Sequence, residues 1–267
     1  MSMRRLSART ISERVRLVRH VEVRTGGADA LDESQVREFL LDLAATRAAS
    51  TQFNYHVIIR MWSHWLVDSG HRLDDPTAQL PKPRLPKMRP RPASTTHVEA
   101  VLRHGNLAPQ TVMKVLLAGY QGMRCIEIAR VRGEYVDLAA QKIRILGKGG
   151  TDVLSDLHPE VLNFATLHPD CFPRRGWWFP SPVHPDRHVR PSSVSQVLSF
   201  AFRRVGAPVT AHQLRHWTAT ELIRADVPTR VVQKIMRHSS IQTTEGYTAV
   251  ADDSLAAAIR RLPLVHR

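Results

Sequence analysis

With 267 residues, 43% of them hydrophobic, the chain can form one large domain or two small ones with a real core, and no apolar run nears the roughly 18 residues of a membrane span. A formal net charge of +14 favours a polyanion partner, nucleic acid before anionic membrane, because no strongly amphipathic basic helix supports the latter. Only two cysteines, Cys125 and Cys171, are present, too few for a disulfide framework or a Cys-based zinc site. We therefore expect two reduced thiols in a cytoplasmic protein. Residues 1–20 lack an apolar h-region, so no secretory signal is expected there.

The first 80 residues read as a small helical bundle. One helix is expected over about residues 11–23. A second opens on Asp32 and Gln35, spaced as a capping box, and carries Val36, Phe39, Leu40 and Leu43 along one face. A third, over residues 50–69, carries Val57, Ile58, Met61, Trp62, Trp65 and Leu66. Their helical period marks them as core rather than as a base-stacking surface, and Gly70 is a natural stop.

Residues 81–92, PKPRLPKMRPRP, form the clearest boundary. Five prolines in twelve residues continue neither a helix nor a sheet ladder and favour an extended strand. Lys82, Arg84, Lys87, Arg89 and Arg91 make that strand either a phosphate-tracking linker or a plain solvated one. Helices follow over residues 96–102 and 109–120. The period then changes: KIRILGKGGTDVLSDL alternates apolar residues on both sides of a Gly-Lys-Gly-Gly turn, a β-hairpin with Lys148 exposed at its tip. Residues 174–191 read as a long loop. His184 and His188 are four apart in it, but Pro185 and Pro191 argue against a metal site. Helices resume to the end.

Several polar residues stand out. His212 and Arg215 are three apart in a helical segment, a spacing that puts both on one face. Arginine offers a planar fork for two phosphate oxygens, and histidine exchanges protons near neutral pH. Arg124 and Glu127 repeat the spacing, the carboxylate orienting a cation or a histidine, or forming a structural salt bridge. Arg124 follows Gly122, which allows close backbone approach. Tyr247 comes nine residues after His238, behind a polar turn, and a phenol there can attack phosphorus if cations favour its phenolate.

Taken together, GMRCIEI (122–128), LGKGGT (146–151), HQLRHWTAT (212–220) and MRHSSIQTTEGYT (236–248) resemble the tyrosine recombinases, or phage integrase family, across residues 93–250. STQFNYHVIIRMWSHWLVDSG (50–70) looks like that family's helical core-binding domain. The resemblance implies a mainly α fold with a small antiparallel β-sheet. A core-type DNA-binding domain would span residues 1–80, a basic linker 81–92, and a catalytic domain ending in a C-terminal helix 93–267. It implies a site-specific recombinase that cuts and rejoins DNA through a 3′-phosphotyrosine. Tyr247 would be the nucleophile, Arg124 and Arg215 the phosphate clamp, and Lys148 the proton donor to the leaving 5′ oxygen. His212 would assist proton transfer at the tyrosine and His238 would bond a phosphate oxygen, with Glu127 in support. No cofactor or metal is implied. The implied partners are double-stranded DNA attachment sites, a homo-tetramer on DNA and an accessory directionality factor, with no membrane.

Two departures stand out. The family usually has Gly before the second His, where this chain has Arg237, so the loop differs or Arg237 adds a phosphate contact. The core-binding helices begin almost at once, as in recombinases that act on short sites without distal arms. Integration or excision of a phage or mobile element is the expectation. The alternatives are Xer-like resolution of replicons, type IB topoisomerase-like nicking and resealing, and an inactive DNA-binding regulator with this fold. In residues 251–267, Leu255, Ala258, Ile259 and Leu262 form a helical apolar face for a neighbouring protomer or for the chain's own domain.

Overall fold

The computed structural model describes residues 8–28, 30–81, 92–147 and 152–237, together with positions 259, 260 and 262. It divides into two compact units, residues 1–89 and 90–267, each with its own hydrophobic core.

The first unit is built from α1 (Ala8–Thr25), α2 (Glu33–Thr46) and α3 (Ala49–Asp68). The start of α2 carries the capping box read from the sequence: Gln35 N–H donates to Asp32 Oδ1 at 2.8 Å, and Asp32 N–H donates to Gln35 Oε1 at 3.3 Å. Val36, Phe39 and Leu43 on α2 meet Tyr55, Ile59, Trp62 and Leu66 on α3 in the core. Gly70 ends α3 with φ +75°, a conformation that suits glycine. One expectation fails here. Val57, Met61 and Trp65 lie on the solvent side of α3, and Trp65 keeps 40% of its surface exposed against the ring of His71. A helix whose apolar residues extend beyond one stripe cannot bury them all against two neighbours.

The second unit is mainly helical with one small sheet. Its helices are α4 (Thr95–Arg103), α5 (Pro109–Gly119), α6 (Cys125–Ala129), α7 (Pro159–Leu167), α8 (Pro191–Arg203), α9 (Ala211–Arg224) and α10 (Thr229–Ile235). A 3₁₀ turn at Gly133–Tyr135 leads into an antiparallel sheet ordered β1 (Val136–Asp137), β2 (Lys142–Leu146) and β3 (Asp152–Asp156). The expected hairpin is present, with Leu146 opposite Asp152; Lys148 at its tip lies outside the described residues. Helix α5 is buried all round from Val112 to Gly119, a run that is apolar but for Lys114, and it packs against α7, α8 and α9 as the unit's central post.

Trp178 and Phe179, in the long loop, are buried in this core. The two cysteines are free and half-buried. No cluster of metal-ligating side chains occurs among the described residues, and His188 Nδ1 instead lies 2.6 Å from the carbonyl of Val189. No described helix is long and apolar enough to cross a membrane. Ile259 and Leu262 are buried in this same core, so these two positions of the C-terminal segment pack on their own domain.

His158 sits on top of α5 and starts α7. Its ring stacks on Tyr120 at 4.6 Å, and its Nδ1 accepts the N–H of Glu160 at 3.1 Å. Burial pushes its imidazole down to about 4, outweighing a smaller opposing pull from the Leu262 backbone. The folded state therefore holds His158 neutral, whereas the unfolded chain takes up a proton near 6.5. Its contribution is complete above that pH and falls as acid is added, by about 2 kcal/mol between pH 7 and pH 5. Denaturant unfolding at the two pH values should show that loss in the native chain and its removal in His158→Asn, which keeps a cap acceptor.

Candidate active site

The loop between α5 and α6 makes the floor of the site. Thr218 Oγ1 of α9 donates to the carbonyl of Gly119 as α5 ends, which fixes α9 against the loop. Gly122 follows with φ +54°. A Cβ there would lie 3.0 Å from Met236 Sδ and 3.4 Å from Thr218 Cγ2, so both the backbone angle and the space call for glycine. With no side chain in the way, the Gly122 carbonyl is free to face two arginines.

Arg215 arrives from α9, whose start is secured by a second capping box between Thr210 and Gln213. It is 5% exposed, and its Nη1 donates to the Gly122 carbonyl. Its Nη2 is buried with no hydrogen-bond partner among the described residues. Burial, then the Arg124 and Arg237 guanidiniums, push Arg215 down to about 9, with Glu127 acting in the opposite sense. At neutral pH it still carries its charge. A buried charged donor with one nitrogen unused is an anion site in waiting.

Arg124 stands just before α6. Its Nη1 donates to Glu127 Oε1 at 2.8 Å, and its N–H donates to Glu127 Oε2 at 2.8 Å. Its Nη2 donates to the carbonyl of Arg237 at 2.8 Å, and about a third of its side chain reaches solvent. Glu127 is almost fully buried, at 1% side-chain exposure. Burial alone would raise its carboxyl; the Arg237 charge and the bonds from Arg124 outweigh that and hold it below its usual range.

Arg237 resolves the departure noted in the sequence. It ends α10 with φ +50°, the left-handed geometry that a glycine would take there. Its side chain turns inward, 7% exposed, and its Nη2 donates to Glu127 Oε2 at 3.0 Å and to the Gly122 carbonyl at 2.9 Å. Arg237 is thus built into the floor of the site.

His212 and Arg215 lie one turn apart on α9, and they differ in burial and in partners. His212 is exposed, and its Nε2 lies 2.9 Å from Nε2 of His216, one turn on. Burial, then the charges of His212 and Arg215, depress the imidazole of His216. A hydrogen bond between the two rings needs one of them neutral, and His216 is the one biased that way. Sequence reading passed over His216, although two histidines four apart on a helix were a usable signal. Lys148, His238 and Tyr247 lie outside the described residues, as do Lys82, Arg84, Lys87, Arg89 and Arg91. A cavity of about 690 Å³ elsewhere in this unit, beside Lys114 and Phe179, contains none of the candidate residues.

A sequence profile of the phage integrase family matches residues 98–254, more than half of the chain. The chain belongs to the phage integrase family, the tyrosine recombinases. These are site-specific recombinases that cut and rejoin DNA. Tyrosine recombinase XerC of Chlamydia pneumoniae is 26% identical over 207 residues, 72% of this chain and 65% of that protein, so the chain spans just under two thirds of that relative. The integrase of mycobacterium phage Brujita is 37% identical, covers 97% of this chain and 88% of its own, and superposes with a TM-score of 0.59. A lambda integrase tetramer bound to a Holliday junction shares the fold at 13% identity, with a TM-score of 0.72 over 92% of this chain and 76% of that one.

Gly122→Ala tests the floor of the candidate site. Forcing alanine to positive φ against Met236 should cost about 1–3 kcal/mol of stability. It should also slow DNA cleavage by displacing the carbonyl that Arg215 and Arg237 share. Chemical denaturation and cleavage of a nicked duplex measure the two effects.

Proposed function

We propose that this protein is a site-specific DNA recombinase that breaks and rejoins strands through Tyr247. One observation carries the reading. Arg215, bonded to the Gly122 carbonyl, keeps a buried Nη2 without a partner among the described residues, and Arg124, two residues after Gly122, keeps about a third of its side chain open to solvent. A DNA phosphodiester is the ligand that fits two such guanidiniums in a basic protein.

In this reading the Tyr247 oxygen bonds to phosphorus as the bond to the 5′ oxygen breaks. The phenol proton passes to His212, and Lys148 supplies a proton to the departing 5′ oxygen. Arg124 and Arg215 take up the charge that builds on the non-bridging oxygens, and His238 bonds one of them. The phosphotyrosine keeps the energy of the broken bond, so rejoining reverses the step without ATP. The helical first unit is the core-type DNA-binding domain, and the cations of residues 81–92 follow the phosphate backbone. Strand exchange between two sites calls for four protomers, the assembly named for lambda integrase on a Holliday junction. The 37% identity to a phage integrase supports integration and excision of a mobile element, with an accessory factor setting direction. The XerC likeness leaves resolution of replicons as the second reading. Either activity operates where the DNA is, in the cytoplasm.

A nicked duplex made from the DNA that flanks the gene tests the chemistry. The native chain should form a covalent adduct that survives denaturation, and Tyr247→Phe should form none. Arg124→Ala and Arg215→Ala should each slow adduct formation by about 100-fold or more. An adduct in Tyr247→Phe would remove the assignment of the nucleophile. A plasmid carrying the flanking site should then recombine with a second copy of it, whereas simple relaxation of supercoils would point to a nicking and resealing enzyme.

A further inference from the structure

We infer that Arg237 is a positioning residue of the phosphate site: it neutralises the buried Glu127 carboxylate so that Arg124 and Arg215 keep their full positive charge for DNA. This rests on the recombinase reading above and goes beyond it, because Arg237 occupies the place where the family usually has glycine.

The geometry forms a closed ring. Arg124 Nη1 donates to Glu127 Oε1, Arg237 Nη2 donates to Glu127 Oε2, and Arg124 Nη2 donates to the carbonyl of Arg237. Arg237 Nη1 also donates to the Ile235 carbonyl at 2.8 Å, closing off the end of α10. Each residue of the ring therefore fixes the other two. Holding a non-glycine residue at positive φ costs about 1 kcal/mol, and the charge-assisted bonds to Glu127 offset it.

Charge decides what the ring accomplishes. Three guanidiniums and one carboxylate leave two positive charges on the site. A phosphodiester carries one negative charge, and the five-coordinate transition state formed by phenolate attack carries two. Without Arg237 the carboxylate would cancel half of what Arg124 and Arg215 bring, in a place too buried for water to screen it. Arg237 serves the protein in this arrangement: its side chain is 7% exposed and its Nη1 and Nη2 are both bonded to the protein, leaving a buried Nε without a partner among the described residues. It also precedes His238 in the chain and lies ten residues before Tyr247, so the Arg124 bond to its carbonyl anchors the point from which both depart.

The test is a charge-compensation cycle on the full chain. It is read as the single-turnover rate of adduct formation at saturating protein, with DNA affinity and thermal unfolding followed alongside. Arg237→Gly, although it restores the family's usual residue, should cleave about 30-fold more slowly while binding DNA within about threefold of the native chain. Adding Glu127→Gln to that variant should recover at least about tenfold of the lost rate, because removing the carboxylate restores two net positive charges. Should Arg237→Gly fail to fold, Arg237→Lys and Arg237→Met replace it. The lysine variant should stay within about tenfold of native and the methionine variant fall well below it, by the same charge argument. Arg237→Gly cleaving as fast as native, equal rates for Lys and Met, or a double variant that regains thermal stability without regaining rate would each overturn the inference. A native chain that forms no adduct would instead overturn the recombinase reading beneath it.

Discussion

One buried carboxylate organises the catalytic unit. Glu127 is held by two guanidiniums and a backbone N–H, and those partners belong to Arg124 and to Arg237 at the end of α10. Placing a carboxylate out of water costs several kcal/mol unless its oxygens are fully engaged. Here both are engaged, so the ion pairs specify geometry more than they add stability. Loss of either cation would leave a buried negative charge, and this couples the loop after α5 to the end of α10.

The rest of the unit holds that network at a fixed place. Helix α5 is buried on every side from Val112 to Gly119 and so is fixed by its neighbours in rotation and height. Its last turn hands over to the loop that bears Gly122 and Arg124. Helix α9 is tied to it by Thr218 on the Gly119 carbonyl, and to α4 by Trp217 Nε1 on Thr95 Oγ1 at 3.0 Å. Arg215 precedes these ties by two and three residues on the same helix. Its guanidinium is therefore positioned by core packing rather than by a mobile surface loop, the preorganisation that electrostatic catalysis needs.

Sequence reading found features whose cause is local. The Asp32–Gln35 capping box and the alternation that forms β2 and β3 needed only a few neighbouring residues to be recognised. It failed where the answer depends on distant partners. Periodicity predicts one buried stripe along α3, but of its six residues Trp62 and Leu66 are buried and Ile58 partly so, while Val57, Met61 and Trp65 face water. Spacing puts His212 and Arg215 a turn apart on α9 but does not give their partners, the Gly122 carbonyl for Arg215 and His216 for His212. Arg237 was visible as a departure from a pattern, and its backbone geometry followed from that pattern. That its side chain would find Glu127, more than a hundred residues earlier, was written in no local motif.

Why a phosphate site should rest on buried arginines rather than exposed lysines follows from solvent. An exposed ammonium meets its anion through water and salt, which weaken the attraction within about 10 Å at ordinary ionic strength. Arg215 escapes that screening, and the cost appears as a proton affinity lowered by burial and by two neighbouring cations. Lysine in the same surroundings would be far closer to losing its charge, as Lys114 shows: burial alone in the same unit pushes it down to about 8. The delocalised guanidinium keeps its charge where the ammonium would be at risk, and its fork has nitrogens enough to be anchored at Gly122 while another remains for DNA. The choice of arginine at 215 and 237 is thus one solution to a single problem, concentrating positive charge in a dry place without letting it deprotonate.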